Sequence, residues 1–130
     1  MLRQYSYIST APNLSANAVN DIVDQCIRHN ALAGITGFLL YNGRNFFQLL
    51  EGEEVALRVV LARIARDDRH SGINRLADRS IANRDCPDWE MRRIQIADDV
   101  EKRRAGLKGQ LPASLDDGLV RTLMGFAGLN

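Results

Sequence analysis

Apolar positions recur along this chain with two periods, two residues and about 3.6 residues, and the alternation between them predicts the elements. Residues 2–9, Leu-Arg-Gln-Tyr-Ser-Tyr-Ile-Ser, are rich in strand formers and predict a first strand. Tyr5, Tyr7 and Ser9 share one of its faces, Ser6 and Ile8 the other. Pro12 and Asn13 break it, and Ser15 is a good helix N-cap. Val19, Ile22, Val23, Cys26 and Ile27 then fall at i, i+3, i+4, i+7 and i+8, the stripe of a helix packed on a flat surface, closed by Asn30 and Gly34. Ile35 to Tyr41 and Asn45 to Glu51 predict two apolar strands joined at Asn42-Gly43, a strong hairpin signal, with Gly52 ending the second.

Glu53 and Glu54 follow, where a helix N-terminus favours negative charge. Ala56, Leu57, Val60, Leu61 and Ile64 form a second helical stripe, which stops near Asp67-Asp68-Arg69-His70. Ile73 to Ala82 predicts a weaker strand, and Pro87 lies in the loop after it. Trp89 to Ile96 alternates, which puts Trp89 and Met91 on one face and Ile94 and Ile96 on the other. The order βαββαββ implies an α+β, ferredoxin-like fold: a mixed five-stranded sheet with both helices on one face. From residue 98 the pattern changes. Glu101 to Arg104 is charged, and Gly106, Gly109 and Pro112 mark a connection. Ser114 with Asp117 resembles a capping box, and Leu119, Leu123 and Met124 give a short apolar face. Residues 1–97 therefore read as the domain and 98–130 as a small C-terminal helical appendage.

Composition narrows the function classes. The 130 residues suit one domain, and 45% hydrophobic with 25% charged residues is an ordinary soluble balance. Lys and Arg number 17 against 16 Asp and Glu, which leaves no electrostatic footprint for nucleic acid or an acidic membrane. No apolar run approaches the roughly 20 residues of a membrane span, and the first residues lack signal-peptide architecture, so a cytoplasmic location is expected. Cys26 and Cys86 are too few for a disulfide framework and are expected to be reduced. His29 and His70 lack companions at ligand spacing, so no metal site is expected. There is no phosphate loop, nucleophile elbow or zinc signature, and Gly34-Ile35-Thr36-Gly37 opens a strand, not a helix.

One residue resists the bland account. Gln48 sits inside the apolar run Phe46-Phe47-Gln48-Leu49-Leu50, on a face with Phe46 and Leu50. An amide facing solvent would explain it simply. A buried one without partners costs about 1–3 kcal/mol, and its two ends can bridge a donor and an acceptor.

Tyr7-Ile8-Ser9, His29-Asn30, Gly34-Ile35-Thr36-Gly37, Phe47-Gln48-Leu49-Leu50-Glu51-Gly52, Asp67-Asp68-Arg69-His70 and Trp89-Glu90-Met91 occur in this order. Together they resemble the BLUF family, sensors of blue light using flavin, over about residues 2 to 97. The resemblance implies a blue-light photoreceptor, not an enzyme, holding FAD, with FMN as the alternative. It implies that Ile22 and Ile64 sandwich the flavin ring and that Asn30 holds its polar edge. Arg63 and Asp67 join the cofactor-binding set, and Arg69 and His70 stand nearest the phosphate end. Tyr7 and Gln48 match the photoswitch pair, with Gln48 also a flavin contact, and Trp89 and Met91 match the signal-output strand. Each has a plain alternative: core stripe residues, a helix-terminal Asn, a solvated loop, a half-buried strand Tyr, an edge-strand anchor. Two positions depart from the pattern. Cys26 stands where many members carry Ser, and His29 where some carry Asn. A downstream protein partner and a homo-oligomer are expected, with the appendage as the contact. A ferredoxin-like regulatory or small-molecule-binding module without flavin is the competing reading, and a small hydrolase on the same fold ranks last.

Overall fold

The computed structural model describes residues 1–94, 106–107 and 109–128. The expected positions of Ile96, of the Glu101 to Arg104 stretch and of the boundary at 97/98 lie outside the described residues.

The first strand, β1 (Leu2–Thr10), leads into α1 (Ala16–Ala33). The Ser15 side chain accepts from the Ala18 amide, and Gly34 closes the helix in the left-handed conformation that glycine adopts without a Cβ penalty. The hairpin follows as β2 (Thr36–Tyr41) and β3 (Asn45–Glu53). Gly52 does not end β3: the strand runs on to Glu53 because Gly52 and Glu53 still pair with Arg3 and Leu2. Helix α2 (Glu54–Ala65) comes next, then β4 (Ser71–Ser80) and β5 (Glu90–Arg93). Strand β4 starts and ends two residues before the sequence pattern suggests.

The strand order is β4-β1-β3-β2-β5, with β5 parallel to β2 and the other pairs antiparallel. This is the ferredoxin-like arrangement with one strand added. It makes β1 and β3 neighbours and sets Tyr7 directly opposite Gln48. Helices α1 and α2 cover one face of the sheet. Val19, Ile22 and Val23 of α1 and Leu57 and Val60 of α2 share a core there with Tyr7, Phe46 and Leu50. Each such buried side chain contributes roughly 1.5–3 kcal/mol. The edge strand β4 is exposed along almost its whole length, which explains its weak alternation.

A third helix, α3 (Asp117–Phe126), lies on the opposite face. Its N-cap is Asp116, which accepts from Leu119 N at 3.1 Å, and not Ser114. The Ser114 hydroxyl donates instead to Asp85 at 2.6 Å. Leu107, Leu115, Leu119 and Leu123 share a second core with Phe38, Leu40, Phe47 and Leu49 of the sheet. A polar cluster sits beside it. Glu51 is wholly buried, and its carboxylate accepts from Gln4 Nε2 at 2.8 Å and from the amides of Asp85 and Cys86 at 2.9 and 2.7 Å. These bonds tie the loop before β5 to the central strand β3.

Candidate functional site

On α1, Gln25, Cys26, His29 and Asn30 recur at helical spacing and so line one face. Across from them stand Val60, Arg63 and Ile64 of α2, with Arg66, Asp67 and Arg69 just beyond its end. Between the two helices is a cleft of about 310 Å³. That is the lower end of the roughly 300–1,000 Å³ typical of ligand pockets.

Asn30 gives the cleft its clearest chemical signal. The residue is 2% exposed, and its Nδ2 has no hydrogen-bond partner. Its backbone carbonyl is occupied by the amide of Ile35 at 2.9 Å, so only the side chain is left over. A buried donor in that state costs about 1–3 kcal/mol unless something in the cleft accepts from it. The polar edge of a flavin ring offers such acceptors, and the apolar walls at Val60 and Ile64 suit the flat ring itself. The residues present therefore fit the cofactor.

At the cleft end, Arg69 grips Asp67 with two nitrogens, Nε to Oδ1 at 2.8 Å and Nη2 to Oδ2 at 2.5 Å, and reaches Gln25 at 2.7 Å. The Arg69 hydrogen bonds hold the Asp67 carboxyl below the usual carboxylate range. Arg63 is exposed at the rim.

Tyr7 and Gln48 lie behind Cys26, on the sheet. Tyr7 is 2% exposed and Gln48 3%. The Tyr7 hydroxyl donates to Gln48 Oε1. Gln48 Nε2 faces Met91 Sδ at 3.3 Å and Cys26 Sγ at 3.9 Å. Burial pushes the Tyr7 phenol well above its ordinary pKa, so it stays protonated.

The residues named from the sequence thus divide. Asn30, Arg63, Ile64, Asp67 and Arg69 line the cleft, and Tyr7, Gln48 and Met91 meet beside it. Ile22 lies in the core with Val19 and Val23 and is absent from the cleft lining. His70 sits against the sheet. Its Nδ1 is 2.7 Å from Ser9 Oγ, and its ring is 6.4 Å from that of Tyr7 and 6.1 Å from that of Phe46.

Trp89 corrects the strand reading. It does not share a face with Met91. Its ring lies 6.0 Å from Phe38, on the side covered by α3, with Arg92 stacked 4.8 Å above it. Met91 has φ 111°, and the β2–β5 register shifts between Gly37 and Phe38. An irregularity of this kind reverses the side-chain alternation across it. Gln25 and Arg66 belong to the cleft and were not singled out by the sequence patterns. Gln25 was findable, four residues before His29 on the same helix face. Arg66 follows the end of α2, where no periodicity operates.

His70 leads to a pH prediction. Burial lowers its pKa below the ordinary 6.5 and outweighs the nearby Asp67 carboxylate, which pulls it up, while Arg69 adds to the lowering. The unfolded chain therefore takes up this proton first, and the stabilisation is complete above 6.5 and lost as pH falls. Melting temperatures taken from about pH 8 to about pH 5 should fall more steeply for the wild type than for His70→Gln. Parallel curves would show that His70 does not carry the dependence.

The geometry agrees with known proteins. Residues 2–92 match the BLUF family, described as sensors of blue-light using FAD. The photoactivated adenylate cyclase subunit alpha of Euglena gracilis is 33% identical over 107 residues, covering 80% of this chain and 10% of the cyclase subunit. The structure of Klebsiella pneumoniae BlrP1 with FMN and cyclic diGMP superposes with a TM-score of 0.82 at 29% identity, over 98% of this chain and 35% of that one. The dark-state structure of BlrB, a BLUF protein, gives a TM-score of 0.67 at 33% identity, over 88% of this chain and 97% of BlrB. The chain thus spans about a tenth of the cyclase subunit, about a third of BlrP1 and nearly all of BlrB. On the family match, the shared fold and the cleft between its two helices, this chain belongs to the BLUF family of flavin-binding blue-light sensors.

Proposed function

We propose that this chain senses blue light through a flavin held between α1 and α2, and that the signal is a rearrangement of the hydrogen bonds at Tyr7 and Gln48. The observation that carries the reading is the buried Tyr7–Gln48 hydrogen bond, one side chain away from a cleft that contains an unpartnered amide. Asn30 Nδ2 would bind the polar edge of the ring, and Ile64 would pack on its face. Arg63, Asp67 and Arg69 would hold the ribityl and phosphate end, where a guanidinium suits phosphate geometry. FAD is the proposed cofactor and FMN the alternative. His70 would act by fixing Ser9 and the Tyr7 ring, and Ile22 by supporting the α1 wall from within the core.

A bound flavin absorbs blue light and in its excited state can draw an electron from a nearby phenol. The protein's part is to hold and move one proton. In the structure the Tyr7 proton points at Gln48 Oε1. Reversing the amide would present Nε2 to the Tyr7 oxygen and turn Oε1 toward Met91 and Cys26. A glutamine does this at little steric cost because its two ends are nearly the same size. Nothing is consumed. Met91, in contact with Gln48, would report the change to β5, and Trp89 would report it on the opposite face. The output is proposed to pass to a downstream protein partner or through a homo-oligomer, with residues 98–130 as an extension of the sensor. No helix among the described residues is long and apolar enough to cross a membrane.

Protein purified from flavin-replete cells should be yellow, and its visible band should shift red under blue light and return in the dark. A colourless, well-folded protein would refute the reading. Pull-downs performed in darkness and in light would identify the partner.

A further inference from the structure

Gln48 is held unequally at its two ends. Its oxygen accepts from the Tyr7 hydroxyl, while its nitrogen meets two sulfur atoms, Met91 Sδ at 3.3 Å and Cys26 Sγ at 3.9 Å. Sulfur is a weak acceptor, so the donor end of this buried amide sits in a shallow well. The two sulfurs are also chemically different. A thioether can only accept. A thiol can accept through its lone pairs or donate through S–H, and its hydrogen rotates to suit.

That difference matters once the amide is reversed. Oε1 would then face the two sulfurs, and Met91 would have nothing to donate to it. Cys26 would turn its S–H toward the oxygen and form a new hydrogen bond. The hydrogen is there to be given, because burial raises the Cys26 pKa and keeps the thiol neutral. Cys26 also lines the same cleft as the unpartnered, 2% exposed Asn30, so the thiol stands on a wall built to face a ligand.

We propose that Cys26 is a positioning residue of the switch, whose thiol accepts from Gln48 in one amide orientation and donates to it in the other, and so sets the lifetime of the reversed state. The inference rests on the reading that light reverses the Gln48 amide.

The test uses the full, flavin-loaded chain, a blue-light pulse, and the return of the visible band in darkness. Cys26→Ser supplies a stronger donor to the reversed amide and should slow recovery about five-fold. Cys26→Ala supplies none and should speed recovery about five-fold. Opposite signs from two small substitutions at one site are not the signature of a loosened core, and the two variants should melt close to the wild type. A second readout follows the thiol itself. The S–H stretching band should shift in the wild-type light-minus-dark infrared spectrum, vanish from that spectrum in Cys26→Ala, and persist in Cys86→Ala. Cys86 serves as the control because it lies in the core on the opposite face of the sheet. A wild type with no light-induced red shift overturns the switch reading and this inference with it. A wild type that shifts normally, with equal recovery in all three proteins and an unmoved S–H band, overturns the inference alone.

Discussion

Gln48→Leu is expected to give a yellow protein that no longer shifts its spectrum under blue light. Leu is close to Gln in size, and the position lies among Phe46, Leu50 and Leu39. The substitution removes the hydrogen bond to Tyr7 and leaves that buried hydroxyl without its Gln48 acceptor, at a cost of about 1–3 kcal/mol. It also removes an amide nitrogen that has only sulfur to donate to, which offsets part of that loss. The chain should therefore still fold with a lowered melting temperature, and the cleft residues Asn30, Ile64 and Arg69 remain to hold the flavin. What disappears is the group with exchangeable donor and acceptor ends. Tyr7→Phe should have the same consequence from the other side of the bond. Absorption spectra before and after illumination, with thermal melts, check both. A red shift of wild-type size in Gln48→Leu would remove Gln48 from the switch.

The parts of the fold legible in the sequence are those fixed by local chemistry. Ser15 and Gly34 bracket α1 because one caps a helix N-terminus and the other can adopt a left-handed C-terminal conformation. Asn42-Gly43 marks the hairpin because few other residues make so tight a turn. What stayed hidden depends on partners distant in sequence. The alternation that paired Trp89 with Met91 assumes a regular strand, and the irregularity at Met91 becomes visible only beside β2. Glu51 reads as a charged strand end, yet it is buried because Gln4 and the loop amides of Asp85 and Cys86 converge on it. The cleft was half legible. Helical spacing exposes the α1 wall, but Arg66 lies after its helix, and whether Ile22 faces the cleft or the core depends on how α1 is rotated on the sheet. The apolar face at Leu119 and Leu123 was legible as a face. What it covers was not, since Phe38, Leu40, Phe47 and Leu49 lie some seventy or more residues earlier in the chain.

Gly37→Ala should be a severely damaging single-methyl change, and the reason links the fold to the switch. Gly37 has φ 151°, which L side chains rarely adopt, and its amide donates to the Trp89 carbonyl at 2.8 Å. A Cβ added there would lie 1.8 Å from the Leu49 carbonyl oxygen and 2.8 Å from its carbon. Both are backbone atoms of β3, so no rotamer change relieves the clash. Either β2 and β3 separate or β5 leaves β2, and each outcome displaces the neighbours of Gln48. The expected loss exceeds about 4 kcal/mol, a large share of the roughly 5–15 kcal/mol that holds a domain together. Gly43→Ala is the matched control. Its φ of 91° is also positive, but nothing lies within 4 Å of the added Cβ. It should cost only about 1–2 kcal/mol of backbone strain. Denaturant titrations of the two variants separate the contributions: strain alone in Gly43→Ala, strain plus a backbone collision in Gly37→Ala. Equal midpoints would mean that the strands yield at position 37 without cost, and that the close approach there does not hold β5 and Met91 against Gln48.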